Sequence, residues 1–193
     1  MGCGNSKVDE FTPTGLKMGL ADNKMEGKGK QYYESGKIKY EGDFCNSLFN
    51  GEGKFYSEEG FLFYEGHFEN GLQNGKGVEY YPNGNIQYEG DFVNDKREGN
   101  GKLIDENGNY YIGSFKQGKR EGKGKIYRAD GTILYEGDFV EDNYEGQGKY
   151  YHRDGSYDVG QWKNGELVGK STCYSKDGKF LYEVNNGAEN NDN

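Results

Sequence analysis

The first seven residues carry the clearest chemical signal in the chain. They read MGCGNSK, which fits the N-myristoylation pattern M-G-x-x-x-[ST] with Gly2 as the acylated residue. Cys3 stands where a palmitoyl group is often added, and a second chain matters because one myristoyl chain binds membranes only marginally. We therefore predict lipidation at Gly2 and Cys3, which would hold the protein on the cytoplasmic face of a plasma, cortical or ciliary membrane.

Few other side chains are spaced for chemistry. His67 and His152 lie far apart, with no Ser or Cys nucleophile motif nearby, and His67 stands in a column otherwise held by Asp. Repeated acidic residues such as Glu41 and Asp43 raise the alternative of a calcium ladder, but flat rows rarely converge on one ion. The three cysteines lack C-x-x-C spacing. We predict no catalytic residue, no metal site and no cofactor.

Composition narrows the classes of protein. Of 193 residues, 34 are Gly, 18 Tyr and 11 Phe, while hydrophobic residues make up only 32%. So many aromatics argue against simple disorder, and so few aliphatics argue against a large aliphatic core. The net charge of −9 disfavours nucleic-acid partners. No apolar run reaches the length of ~18 residues that a transmembrane helix needs.

The dominant pattern is an internal repeat. Starting at Tyr40, equivalent positions follow at steps of 24, 24, 23, 24, 23 and 24 residues. Each unit contains Y-x-G-x-aromatic, then G-x-G, then a turn that is mostly Asn-Gly or Asp-Gly. The residues of the first element are Tyr40, Gly42, Phe44, Tyr64, Gly66, Phe68, Tyr88, Gly90, Phe92, Tyr111, Gly113, Phe115, Tyr135, Gly137 and Phe139, and a sixth copy keeps Gly160 and Trp162.

This pattern predicts β-hairpins. Alternate residues of a strand share a face, so Tyr, Gly and Phe point the same way and a ring can cover the bare glycine. Each unit then forms two short antiparallel strands, joined by the Asn/Asp-Gly turn and by polar loops such as 94–98 and 117–121. Because one unit cannot bury its rings alone, units must stack. We predict an all-β fold, an elongated single antiparallel sheet forming a twisted ribbon or trough of stacked β-hairpin repeats.

The repeat also sets the predicted domain organisation. Residues 1–20 would be a flexible acylated leader, and residues 21–184 a repeat array of about six and a half units. Residues 185–193 would be a disordered polar tail. Since no segment is left for a catalytic domain, we predict that the protein is not an enzyme.

These residues resemble the MORN repeat (membrane occupation and recognition nexus), whose pattern of Y-x-G-x-[FW], G-x-G and a D/N-G turn recurs over about 26–182. The resemblance implies a scaffold, as in membrane-junction, cytoskeletal and ciliary proteins. We expect a non-catalytic membrane-associated adaptor that presents its repeat surface to protein partners of unknown identity. The alternatives are a structural component of a cilium or cytoskeleton, and a regulatory module that acts in trans by binding phosphoinositides or a lipid kinase.

Two further contacts are expected of the array. Five lysines that follow G-x-G could touch anionic lipid, although pairing with the acidic rows of neighbouring strands is the alternative. They are Lys30, Lys54, Lys102, Lys125 and Lys149. The exposed terminal strands, near Lys24 and Tyr182, could join two copies as a homodimer.

Overall fold

The computed structural model describes residues 24–186, which form fourteen antiparallel strands and no helix. The strands are hydrogen-bonded in chain order in one sheet, so β1 and β14 are its terminal strands. This confirms the predicted all-β fold with a single antiparallel sheet. The strands are β1 Gly27–Tyr32, β2 Ile38–Cys45, β3 Leu48–Tyr56, β4 Leu62–Glu69, β5 Leu72–Tyr80, β6 Ile86–Val93, β7 Lys96–Ile104, β8 Tyr110–Lys116, β9 Lys119–Tyr127, β10 Ile133–Val140, β11 Asn143–Tyr151, β12 Tyr157–Lys163, β13 Glu166–Tyr174 and β14 Phe180–Asn186.

The Asn/Asp-Gly turns join strands as predicted. Between β5 and β6, the Tyr81 amide donates to the Asn85 carbonyl, and the Gly84 amide donates back to the Tyr81 carbonyl, both at 2.9 Å. Gly84 has φ +83°, which a glycine adopts without a steric penalty. This is a three-residue connection that ends in a left-handed residue.

The polar loops predicted at 94–98 and 117–121 are wrong. The chain reverses there in two residues, because Asn94 and Asp95 both have positive φ (50° and 63°), as a type I′ hairpin turn requires. β7 therefore begins at Lys96 and β9 at Lys119. Consequently Arg97 and Arg120 are strand residues.

The two repeat lengths have a structural cause. Where a unit has 24 residues, the strand pairing skips one residue just before the first tyrosine of Y-x-G-x-aromatic: Phe55 pairs with Tyr64 and Tyr56 with Leu62, leaving Phe63 unmatched. Where the step is 23 residues, as before Tyr111, the pairing is continuous. The extra residue is thus absorbed as a β-bulge.

The chain divides into two compact units between Glu98 and Gly99, and each buries aromatic rings on one sheet face. In the first unit, Tyr40 meets the edges of Phe44 and Phe68, with ring centroids 5.1 and 5.2 Å apart. In the second, Tyr135 meets Phe139 at 5.3 Å and Trp162 at 5.4 Å. Tyr40, Tyr64, Tyr111 and Tyr135 are each held between the aromatic residue of their own strand and that of the strand two positions on.

Candidate interaction surface

The tyrosine–glycine face is the sheet face that carries the Y-x-G-x-aromatic residues. Its Tyr and Phe side chains are at most 3% exposed, and Trp162 is 9% exposed. Their burial leaves little ring surface for contact with a partner. They lie on β2, β4, β6, β8, β10 and β12.

The two glycines of G-x-G serve different purposes. A Cβ at Gly53 would overlap the ring of Tyr40, and a Cβ at Gly42 would lie 2.5 Å from the Gly53 Cα. The Tyr40 ring therefore covers glycine backbone on two adjacent strands. The first glycine, Gly51, instead has φ +68° at a point where the strand register shifts, so it permits a bulge.

The buried tyrosines keep their hydroxyl groups hydrogen-bonded. The Tyr40 hydroxyl donates to the Asp43 carbonyl at 2.9 Å, and Tyr111 donates to the Ser114 carbonyl at 3.0 Å. Burial raises the pKa of Tyr111 to about 12 and raises the pKa of Tyr40 further above its ordinary value. These groups thus remain neutral donors at physiological pH.

A second column packs flat on the tyrosines, and the sequence analysis missed it. Phe49 stacks on Tyr40 with centroids 3.9 Å apart, and Tyr144 stacks on Tyr135 at 3.8 Å. In other units an arginine stands there: the Arg97 guanidinium lies 4.9 Å from the Tyr88 centroid. The column stands two residues before each G-x-G. Its mixture of residue types, which also includes Gln73 and Leu167, hid it.

Arg97 also forms an unusually sheltered ion pair. Its Nη2 lies 2.6 Å from the Glu79 carboxylate, and its Nε donates to the same carboxylate at 2.8 Å. The side chains are only 20% and 11% exposed. Since Glu79 is almost buried, this carboxylate depends on Arg97 for its compensation.

The charged face is the opposite side of the sheet. From β1 to β4 its central row alternates lysine and glutamate on successive strands: Lys30 lies 3.0 Å from Glu41, and Lys54 lies 3.2 Å from Glu65. In the second unit, Glu136 lies between Lys125 at 2.8 Å and Lys149 at 3.8 Å. The predicted lysine row is thus one half of a ladder of ion pairs.

Lys102, the remaining lysine of that row, faces a ring. Its Nζ lies 4.4 Å from the centroid of Tyr110, which stacks on Tyr127 at 4.8 Å. A row of half-exposed tyrosines runs beside the lysine–glutamate row on this face. Its members are Tyr32, Tyr56, Tyr80, Tyr110, Tyr127, Tyr151, Tyr157 and Tyr174.

A groove opens on the charged face of the second unit, with a volume of about 650 Å³. Its lining includes Gly124, Gly137 and Gly148, whose Cα atoms would carry side chains only towards the tyrosine rings of the opposite face. Ile112 and Val159 also line the groove and interrupt the charged row on β8 and β12. The groove therefore combines an apolar contact at each end with the Lys125–Glu136–Lys149 triad between them.

The two histidines, one on β4 and one in the turn after β11, each lie beside a carboxylate. His67 lies 3.2 Å from Glu52, and His152 lies 2.8 Å from Asp158. Across residues 24–186, no group of three or more His, Cys, Asp or Glu side chains is placed to hold a metal ion. In the same range, no helix is long and apolar enough to cross a membrane. Gly2 and Cys3 lie outside the described residues.

Comparison with known families agrees with this architecture. The MORN repeat matches residues 40–60, 64–86, 88–110, 111–133, 135–157 and 159–180, and a MORN repeat variant matches residues 25–46. The chain belongs to the MORN repeat family. MORN repeat proteins generally take part in membrane or protein interactions.

Comparison with individual proteins adds little to the family assignment. No curated protein matches this MORN repeat chain significantly. Among solved structures, a mutant of the TCP10 domain of Danio rerio CPAP is 14% identical, with 93% of this chain and 99% of that chain covered, at a TM-score of 0.24. A TM-score this low supports no conclusion about fold or function.

Proposed function

We propose that this MORN repeat protein is a non-catalytic scaffold, held on the cytoplasmic face of a membrane by a myristoyl group on Gly2 and a palmitoyl group on Cys3. The motif at the start of the chain supports the anchor. The second acyl chain converts marginal binding into stable residence. A net charge of −9 adds to the need for acyl chains, because an acidic body is repelled by anionic lipid.

The charged face supports a role in protein binding, and the groove between Ile112 and Val159 is the observation that carries this proposal. The aromatic rings of the tyrosine–glycine face are buried against one another. On the charged face, by contrast, Ile112 is 46% exposed. Exposed apolar groups beside half-exposed tyrosines are typical of protein contact surfaces. We propose that a partner segment lies in this groove.

The anchor is tested by fractionation of cells that express the full chain with a C-terminal fluorescent reporter. Gly2→Ala should move the protein to the soluble fraction, and Cys3→Ser should leave partial, reversible membrane binding by one acyl chain. Gly4→Ala is the matched control, since it preserves the acylation pattern. If the Gly2→Ala protein pellets with membranes as the parent does, the anchor is wrong.

Detergent extraction tests the cytoskeletal alternative in the same cells. A lipid-anchored scaffold is released by mild detergent, whereas a structural component of a cilium or cytoskeleton stays in the insoluble residue. Retention of the Gly2→Ala protein in that residue would favour the cytoskeletal role.

The groove is tested by proximity labelling with an intact amino terminus. Ile112→Glu with Val159→Glu should remove the labelled partners while the thermal transition is preserved, because both side chains are accessible. Val93→Glu with Val140→Glu is the matched control, since each is 45% exposed and neither lines the groove. An unchanged partner list in the groove variant would exclude this site.

Phosphoinositide binding is less favoured by the geometry. Four of the five predicted lysines already have a carboxylate within 4 Å, so a lipid phosphate would have to compete with it. Unacylated protein should therefore not bind phosphoinositide vesicles at moderate salt. Binding that is lost when Lys30, Lys54 and Lys102 are changed to Glu would instead support a lipid-binding role.

A further inference from the structure

The terminal strand β14 carries a tyrosine of the repeat motif that is exposed instead of buried. Tyr182 pairs with Cys173 on the preceding strand, in the register in which Tyr64 pairs with Phe55 and Tyr135 with Ile126. Tyr64 and Tyr135 are completely buried, but Tyr182 is 53% exposed. The difference arises because, among the described strands, none follows β14.

In an interior repeat, three residues of the following strand lie beside the tyrosine and the glutamate next to it. For Tyr40 on β2, the following strand β3 supplies a stacking partner, Phe49, and a bare backbone under the ring, Gly53. β3 also supplies Lys54, which pairs in register with Glu41. Tyr182 and Glu183 repeat the first two residues of this motif without those counterparts.

The other terminal strand has the counterparts without the tyrosine. Met25, Gly29 and Lys30 stand one 24-residue step before Phe49, Gly53 and Lys54. A Cβ at Gly29 would meet Phe44 at 3.3 Å and the Met25 methyl carbon at 3.5 Å. The flexible thioether side chain of Met25 therefore lies near the place that a tyrosine ring takes at Gly53.

We propose that β14 of one copy pairs with β1 of a second copy, antiparallel and in the register of β2 with β3. Tyr182 then lies against Gly29 and Met25 of the second copy, and Glu183 lies opposite Lys30. The interface is head-to-tail, so each added copy leaves one free β1 and one free β14. This inference does not depend on the acyl anchor or on the groove.

Local chemistry fits this junction. Val184 replaces the glycine of the interior motif and is 43% exposed. A Cβ at the equivalent Gly42 would lie 2.5 Å from the Gly53 Cα, so the two strands must lie further apart at Val184 than β2 and β3 do, and Gly29, which has no side chain, leaves the most room for this. Glu183 already contacts Lys170 at 3.0 Å, but Glu136 shows that one carboxylate can serve two lysines on neighbouring strands. An edge strand with exposed apolar side chains is also a ready template for pairing.

The test is sedimentation velocity on the full chain, produced without acylation, over a range of concentrations. The average mass should rise with concentration above the 21.8 kDa of one chain and continue beyond that of a dimer. Tyr182→Glu with Val184→Glu should block pairing through β14, the tail, and Gly29→Val should block pairing through β1, the head. Each blocked variant should stay monomeric alone, while an equimolar mixture should form a one-to-one heterodimer and nothing larger.

Three results would overturn the proposal. The parent could stay monomeric throughout, the mixture could fail to associate, or the Gly29→Val variant could self-associate, which would indicate pairing of β14 with β14. Circular dichroism melts confirm that each variant is folded. If Gly29→Val is not, Lys30→Glu serves as the head variant, because its partner Glu41 is exposed and an exposed pair adds little stability.

Discussion

The ring of Tyr40 lies across the backbone of Gly53 on the neighbouring strand, so closely that the glycine has no room for a Cβ. We expect Gly53→Ala to lower the free energy of unfolding by about 1–3 kcal/mol or more, the usual cost of overpacking. The matched control is Gly29→Ala, in the same column one repeat earlier, where a Cβ has contacts of 3.3 Å and longer. Urea titration should show a change below about 1 kcal/mol for the control. Equal losses would mean that the tyrosine ring does not set the requirement for glycine.

The sheltered pair of Arg97 and Glu79 should behave asymmetrically. Arg97→Met leaves the Glu79 carboxylate nearly buried without its cation, and we expect a loss of about 3 kcal/mol. The double variant Arg97→Met with Glu79→Leu should recover most of that loss, because an apolar pair of similar volume carries no charge to desolvate. Urea unfolding of the two variants measures the difference. A double variant as unstable as the single would show that Arg97 acts through Tyr88 rather than through Glu79.

Asp95 joins two hairpins through a strained turn. Its carboxylate accepts a hydrogen bond from the Gln73 amide at 2.7 Å, although its own φ is +63°. Asp95→Ala loses the bond and keeps the strain, so we expect a loss of about 2 kcal/mol. Asp95→Gly also loses the bond but relieves the strain and should be more stable than the alanine variant by about 1 kcal/mol. Thermal melts that rank the two variants equally would contradict a role for the positive φ.

The buried tyrosines predict instability in alkali. Burial raises the folded-state pKa of Tyr111 to about 12, and those of Tyr40, Tyr64, Tyr88 and Tyr135 also rise above the ordinary value. A group with a raised folded pKa contributes stability that is complete below its unfolded pKa of about 10. That contribution falls as the pH rises towards the folded pKa, by up to about 1.4 kcal/mol per pH unit for each tyrosine.

Alkaline titration distinguishes two sets of tyrosines. Tyrosinate absorbance should show the exposed set ionising first and the buried set only together with the loss of the circular dichroism signal. The transition should be reversible on return to neutral pH. Ionisation of all 18 tyrosines in a single step near the ordinary pKa, with the fold intact, would contradict this assignment.

The strands could be predicted because the two-residue alternation of side chains along a strand recurs in every repeat of 23 or 24 residues. Tyr, Gly and Phe at alternate positions fixed one face, and the glycine of each Asn/Asp-Gly turn marked the connection. The type I′ turn at Asn94-Asp95 was missed because it contains no glycine, so its positive φ values are not visible in the residue types. Surrounding structure imposes that conformation. At Gln117-Gly118 the glycine was visible, but the polar residues after it concealed that β9 begins at Lys119.

The candidate surface was less predictable than the fold. The lysine and acidic rows were both visible, but their pairing depends on register, which the bulge beside Phe63 shifts. The stacking column was hidden because Phe49 and Arg97 share no chemistry except the ability to lie on a ring. The groove depends on where Ile112 and Val159 interrupt the charged row, which only the strand order reveals.

Because every strand pairs only with its neighbours in the chain, the contacts that define one hairpin reach little further than one repeat. Duplication or loss of a complete unit would therefore leave the remaining pairings unchanged, whereas loss of a single residue outside the bulges would shift one register. Such a chain can be lengthened or shortened in whole steps by recombination within its own gene, with the two atypical terminal strands kept at the ends. Selection can thus change the number of repeats without redesigning a core.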